Sequence, residues 1–216
     1  MHSQGQGREP SNPRSMPTTD DEIREKYLER AIRELNALTR ELQSCSDCPR
    51  GNLMPVLGSG HPQADIFLIK HSARPAEVEE GVAFYGRTGN ALMKSLKRLS
   101  IDPLAVYGTL CVKCPVPDPE MADPACVARL VEELAIVQPK IVVVMGEDAL
   151  VAVNDLDIPL ARELQPEPGE IQRLTGSIEA LCVPNIDEAL DEEPAKRAFW
   201  AAFRVLGRWW ADLPPY

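Results

Sequence analysis

The chain has 216 residues, 44% of them hydrophobic and 26% charged, with a formal net charge of -10, which suits one well-packed domain plus a tail. That charge opposes functions in which a globally basic surface neutralises phosphates, although a local basic face is compatible with it. No apolar run approaches the roughly 20 residues that cross a bilayer, and no basic region, apolar core and cleavage site occur together near the first residue, so a cytoplasmic location without membrane contact is expected.

Residues 1–19 are rich in Pro, Ser, Gly and Gln, lack apolar periodicity and cannot repay the entropy of ordering, so a disordered tail is expected. Asp20 and Asp21 offer N-terminal charge to a helix running to about Gln43, with Ile23, Tyr27, Ala31, Leu35, Leu38 and Leu42 on one stripe. Four short apolar runs, at 64–70, 104–112, 140–146 and 177–185, read as buried strands. Helical patterns at 90–99, 124–137, 147–154 and 194–211 alternate with them, and residues 155–176, with Pro159, Pro166, Pro168 and Gly169, read as a long loop. Such alternation predicts an α/β fold with a parallel sheet and helices on both faces. A ligand should then lie beyond the carboxyl ends of the strands, at the segments starting with Lys70, Lys113, Gly146 and Asn185.

Six cysteines in a chain of this kind point to metal binding or reduced thiols more than to a disulfide framework. Cys45 and Cys48 form a CxxC pair on one tight turn; Cys114 follows a strand, and Cys126 opens a helix after a proline-rich loop. Four such thiolates suit tetrahedral zinc or an iron-sulfur cluster, and spacing alone does not separate the two. Cys111 makes a second CxxC with Cys114 but falls on a predicted strand, where it would behave as a small apolar residue, as would Cys182.

These cysteines, together with Gly81 to Leu92 (GVAFYGRTGNAL), Val106 to Pro115 (VYGTLCVKCP) and Pro139 to Gly146 (PKIVVVMG), resemble the iron-sulfur uracil-DNA glycosylases of family 4 over about residues 20–210. The resemblance implies a three-layer αβα sandwich around a four-stranded parallel sheet, a single domain over 20–213. It also implies a 4Fe-4S cluster ligated by Cys45, Cys48, Cys114 and Cys126, and Phe84 stacking on an extruded base. Three departures fall on catalytic positions. The family's Gly-Glu-Ala-Pro-Gly motif is replaced by Lys70-His71-Ser72-Ala73-Arg74, so the carboxylate that helps place the attacking water is absent. Leu110 stands where an asparagine would hydrogen-bond uracil, and leucine cannot discriminate bases that way. After the fourth strand, Asn185, Ile186, Asp187 and Glu188 occupy the stretch of a His-Pro-Ser loop; two acids there oppose an anionic leaving group.

Three functional expectations follow. The first is a degenerate glycosylase-fold protein that keeps its cluster and binds DNA or a protein in DNA repair. The second is an active glycosylase of altered mechanism or base specificity, with His71 as catalytic group near neutral pH. The third is an acidic scaffold for a protein partner with no nucleic-acid role. Phe84, Lys70, Ser72, Arg74, Gly86 and Asn185 are the candidate base-stacking or ligand-binding residues; Lys70, His71 and Arg74 would suit an anion. Arg87, Lys94, Lys97, Arg98 and Lys113 offer at most a modest basic patch.

Overall fold

Strand alternation decides how the layers form. The computed structural model describes residues 19–214, with strands β1 (Ser59–Gly60), β2 (Ile66–Lys70), β3 (Val106–Leu110), β4 (Ile141–Met145), β5 (Ile171–Arg173) and β6 (Glu179–Val183) in one sheet ordered β1-β3-β2-β4-β6-β5. The helices are α1 (Thr19–Ser44), α2 (Pro75–Glu80), α3 (Gly86–Arg98), α4 (Pro124–Val137), α5 (Glu147–Asn154) and α6 (Glu193–Ala211). Side chains pointing to alternate faces send Ile66 and Leu68 of β2, Ile141 and Val143 of β4 and Leu181 of β6 into a core with Leu96 of α3 and Phe203 and Leu206 of α6. Their neighbours Phe67, Ile69, Val142, Val144 and Ala180 build the opposite core with Leu130 and Leu134 of α4 and Leu150 of α5. The result is the expected αβα sandwich.

The expected four parallel strands are present as β3-β2-β4-β6. The sheet is nonetheless mixed and six-stranded, because β1 pairs antiparallel with β3 and β5 antiparallel with β6. β5 lies inside the stretch expected to be a loop. Strands of two and three residues are too short to show a periodicity, yet they cover edges whose backbone groups would otherwise stand unpaired. Thr19 belongs to α1, and the rest of the expected disordered tail lies outside the described residues. The α1 stripe is buried only in part: Ala31, Leu38 and Leu42 are interior, whereas Ile23 and Tyr27 are exposed, on the two turns before the helix buries its stripe. Among the described residues no helix is long and apolar enough to cross a membrane.

The strand order positions the site. From β2 the chain passes to β3 on one side, then returns through α4 to β4 on the other, so a crevice opens outside the carboxyl ends of β2 and β4. Gly108 matters beside it. A β-carbon there would stand 2.6 Å from the Phe84 ring, so the missing side chain on β3 admits that ring to the core. Gly108→Ala is expected to lower stability by about 1–3 kcal/mol through overpacking, read as a shifted midpoint in urea unfolding at unchanged slope.

Candidate functional site

Lys70 ends β2 on the same face as Ile66 and Leu68, which turns its side chain inward. It is 1% exposed. Its Nζ donates to Glu77 Oε2 at 2.6 Å and to Asp187 Oδ2 at 2.7 Å, and it stands 5.8 Å from the centroid of the Phe84 ring. Glu77 sits on α2, which Pro75 initiates, and its carboxylate also accepts from the Arg74 and Phe84 backbone N–H groups at 2.7 and 2.6 Å. Asp187 Oδ1 accepts from the Thr88 hydroxyl at 2.6 Å, and the Asp187 N–H donates to Asn185 Oδ1 at 2.9 Å. One buried ammonium is thus shared by two carboxylates whose other oxygens hold α3 and the Phe84 turn. Phe84 has φ of 57°, a left-handed conformation costly for a bulky residue, and its N–H is fixed by Glu77.

The crevice above this network has a volume of about 350 Å³ and is lined by Lys70, His71, Ser72, Arg74 and Asn185 together with Asp148, Glu188, Asp191 and Glu192. The structure therefore gathers five of the candidate residues at the strand ends. Phe84 and Gly86 line a separate pocket of about 430 Å³. Arg74 and Arg87 both pair with Asp191, at 3.5 and 2.7 Å. Lys113 is no part of a surface patch: it is fully buried, its ammonium 2.7 Å from the Leu110 carbonyl and 2.9 Å from Glu133 on α4. Glu133 also accepts from Thr109 and Tyr107, and burial, then the Glu133 charge, push the Tyr107 phenol well above its ordinary value. Leu110 is wholly buried in the core and offers nothing polar.

On the far side of β3, the sulfurs of Cys48, Cys114 and Cys126 lie within 4.8 Å of one another, all buried, with Val116 and Ala122 packed against them. They come from the turn after α1, the exit of β3 and the first turn of α4. The Asp123 N–H donates to Cys48 Sγ at 3.3 Å. Cys126 is held down to about 5, chiefly by the Cys114 thiol and then by the backbone N–H groups of Cys114 and Lys113, while its hydrogen bond with Cys126 and burial push Cys114 up. A ready thiolate among soft, convergent donors fits a thiolate-bound metal centre. Cys45 is outside the trio, half-buried, with its thiol 3.3 Å from Asp47 Oδ2. Arg50 braces this turn, donating to the carbonyls of Gln43 at 3.1 Å, Cys45 at 2.6 Å and also Leu53. Cys111 and Cys182 lie in the core between β-sheet and α4/α5, and burial pushes their thiols up to about 12 and about 11.

An αβα sandwich with a crevice at its topological switch point and a convergent cysteine trio beside β3 defines an open-sheet α/β protein with a thiolate-rich centre. A family model described as the uracil DNA glycosylase superfamily matches residues 57–204, and the chain belongs to that superfamily. It is similar to the type-4 uracil-DNA glycosylase of Pyrobaculum aerophilum, 26% identical over 174 residues that make up 76% of this chain and 88% of that protein. The type-4 uracil-DNA glycosylase of Sulfurisphaera tokodaii is 33% identical over 121 residues, 52% of this chain and 54% of that protein. That of Thermotoga maritima is 27% identical over 124 residues, 54% and 64%.

Sequence reasoning missed Glu77, Thr88, Glu133 and Arg50. For Glu77 a signal existed: Pro75 at the first helical position with Glu two residues later marks a helix start whose N3 carboxylate reaches back to the N-cap. Nothing local announces Glu133, which differs from its surface neighbours only in what it faces. Removing the shared cation leaves two buried carboxylates uncompensated, so Lys70→Met is expected to destabilise by about 3–5 kcal/mol, and adding Glu77→Gln and Asp187→Asn to it should recover part of the loss in thermal unfolding.

Proposed function

We propose that this chain is a uracil-DNA glycosylase-fold protein that has lost uracil excision and persists as a cluster-stabilised binding module in DNA repair. The observation behind this reading is the Lys70 ammonium, buried between Glu77 and Asp187 and 5.8 Å from the ring of Phe84. That is the strand end and the aromatic ring beside which the resemblance puts an extruded base. An ion-paired lysine cannot leave the space without exposing two carboxylates to a low-dielectric interior. The other replaced positions point the same way: Leu110 is buried core, and Asp187 serves Lys70 instead of a leaving group. His71 and Ser72 still border the crevice, and His71 would be the group to examine if excision were found.

The cysteine centre is read as a 4Fe-4S cluster held by Cys48, Cys114 and Cys126, with Cys45 turning from Asp47 to supply the fourth thiolate. Bound there, a cluster would cross-link the end of α1, the exit of β3 and the start of α4, and the buried Lys113–Glu133 pair would fix the backbone beside Cys114. Iron and acid-labile sulfide analysis should find both in purified protein. Cys126→Ser should lose them with the visible absorbance and lower the unfolding temperature, while Cys111→Ala should keep full metal content; zinc without sulfide would refute the cluster type.

Excision is tested with cluster-intact protein in excess over single- and double-stranded oligonucleotides containing uracil, hypoxanthine or xanthine. No abasic sites are expected. Turnover abolished by His71→Ala would overturn the reading in favour of an altered glycosylase.

A further inference from the structure

We propose that the groove between α4 and α5, continuous with the crevice over Lys70, receives a basic segment of a partner protein in which Lys or Arg side chains flank aliphatic ones. The proposal rests on reading the chain as a binding module and adds the chemistry of what it binds.

Two cavities meet here. One of about 980 Å³ lies along α4 and α5, and the crevice of about 350 Å³ adjoins it; His71, Ser72 and Asp148 line both. The junction coincides with the carboxyl ends of β2 and β4, the place where this sheet order leaves a cleft. The floor of the larger cavity is aliphatic, made by Val112, Val127, Val131 and Leu156, with Val151 55% exposed on the face of α5 opposite its buried Ala149, Leu150 and Val153. Its rim is acidic. Asp118 and Glu120 stand on the cysteine-bearing side and Asp155 and Asp157 at the end of α5. Asp148 lies at the junction, and Glu188 and Glu192 extend the same sign into the crevice.

The cations nearby do not offset this. Lys70 is shared between two carboxylates, and Arg74 lies against Asp191. A phosphate backbone would meet a potential of its own sign, which removes the counterion-release gain that nucleic-acid binding depends on. A single metal ion does not suit the groove either, because hard cations need several oxygens converging on one point. Among the described residues the one convergent set of metal-ligating side chains is the cysteine trio. What remains complementary is an extended chain: aliphatic side chains for the Val151 and Leu156 floor, and cations for carboxylates spaced along both rims.

The experiment uses the cluster-containing full chain and fluorescence anisotropy. The probes are a short peptide alternating Lys and Leu, a peptide of equal charge alternating Lys and Gly, and single-stranded and duplex DNA of matched length. The proteins are wild type, Val151→Gln, the double variant Asp148→Lys/Asp157→Lys, and Glu25→Lys/Glu29→Lys on the exposed face of α1 as a control of equal charge change. All substituted positions are exposed, and matching unfolding temperatures confirm folding. The Lys/Leu peptide should bind wild type more tightly than the Lys/Gly peptide or either DNA. Val151→Gln and the Asp148/Asp157 variant should each weaken it about tenfold, with the α1 control within about twofold. Equal loss in the control, indifference to Val151→Gln, preference for DNA, or no peptide binding would each overturn the groove. An inactive protein that binds no peptide refutes this groove alone, whereas excision activity refutes the binding-module reading on which it rests.

Discussion

A lysine that keeps its charge inside a protein must find carboxylate partners to offset the loss of water, and Lys70 finds two. Each carboxylate that pairs with it performs a second task. Glu77 ties the start of α2 and the Phe84 turn to the end of β2, and Asp187 ties the segment after β6 to Thr88 on α3. Three positively polarised donors, two backbone N–H groups and the Thr88 hydroxyl, stabilise the carboxylate charge that a single ammonium leaves uncompensated. The end of β2, the Phe84 turn, the segment after β6 and the start of α3 are assembled around that cation. Breaking the set by one member costs far more than exchanging all of it for apolar groups would, so such a site, once formed, resists stepwise reversal.

The charge balance of the crevice follows from the same arrangement. With Lys70 consumed below and Arg74 and Arg87 sharing the single carboxylate of Asp191, one guanidinium charge is set against Asp148, Glu188 and Glu192, and the surface over the strand ends stays net acidic. In a fold whose relatives act on DNA, a cleft of this sign changes which partners electrostatics would bring to it. The cysteine centre is governed separately. Its three convergent sulfurs depend on the α1 turn braced by Arg50, on the β3 exit held by Lys113 and Glu133, and on the capped start of α4; none of these side-chain interactions involves the Lys70 ammonium, and the link between the two sites is backbone, the Cys111 N–H donating to the Lys70 carbonyl at 2.9 Å. Architecture and reaction are therefore held by different interactions, and one can be kept while the other is lost.

The central strands were legible because each is a short apolar run buried on both faces, and the long helices because their stripes repeat at helical spacing. β4 and α4 fall within a residue of their expected bounds for that reason. β1, β5 and α2 were not legible: a strand of two or three residues has no period, and a single-turn helix with no apolar stripe is defined by Pro75 and the reach of Glu77. Cys48, Cys114 and Cys126 were legible from spacing and context. That Cys45 turns to Asp47 was not, since a rotamer leaves no trace in spacing.

By itself, then, the sequence determined the order and kind of the main elements, the thiolate-rich centre, and the absence of a carboxylate, an asparagine and a histidine from three positions where the resemblance would put them. These are properties of residue identity and local pattern. Only the tertiary structure decided what the replacements do. Lys70 and Glu77 are 7 residues apart, but Lys70 and Asp187 are 117 apart, and no local rule pairs a strand end with a loop from the other half of the chain. A lysine reads from sequence as an exposed cation. It became the buried centre of this site because the parity of β2 aimed it inward and the fold had two carboxylates waiting there.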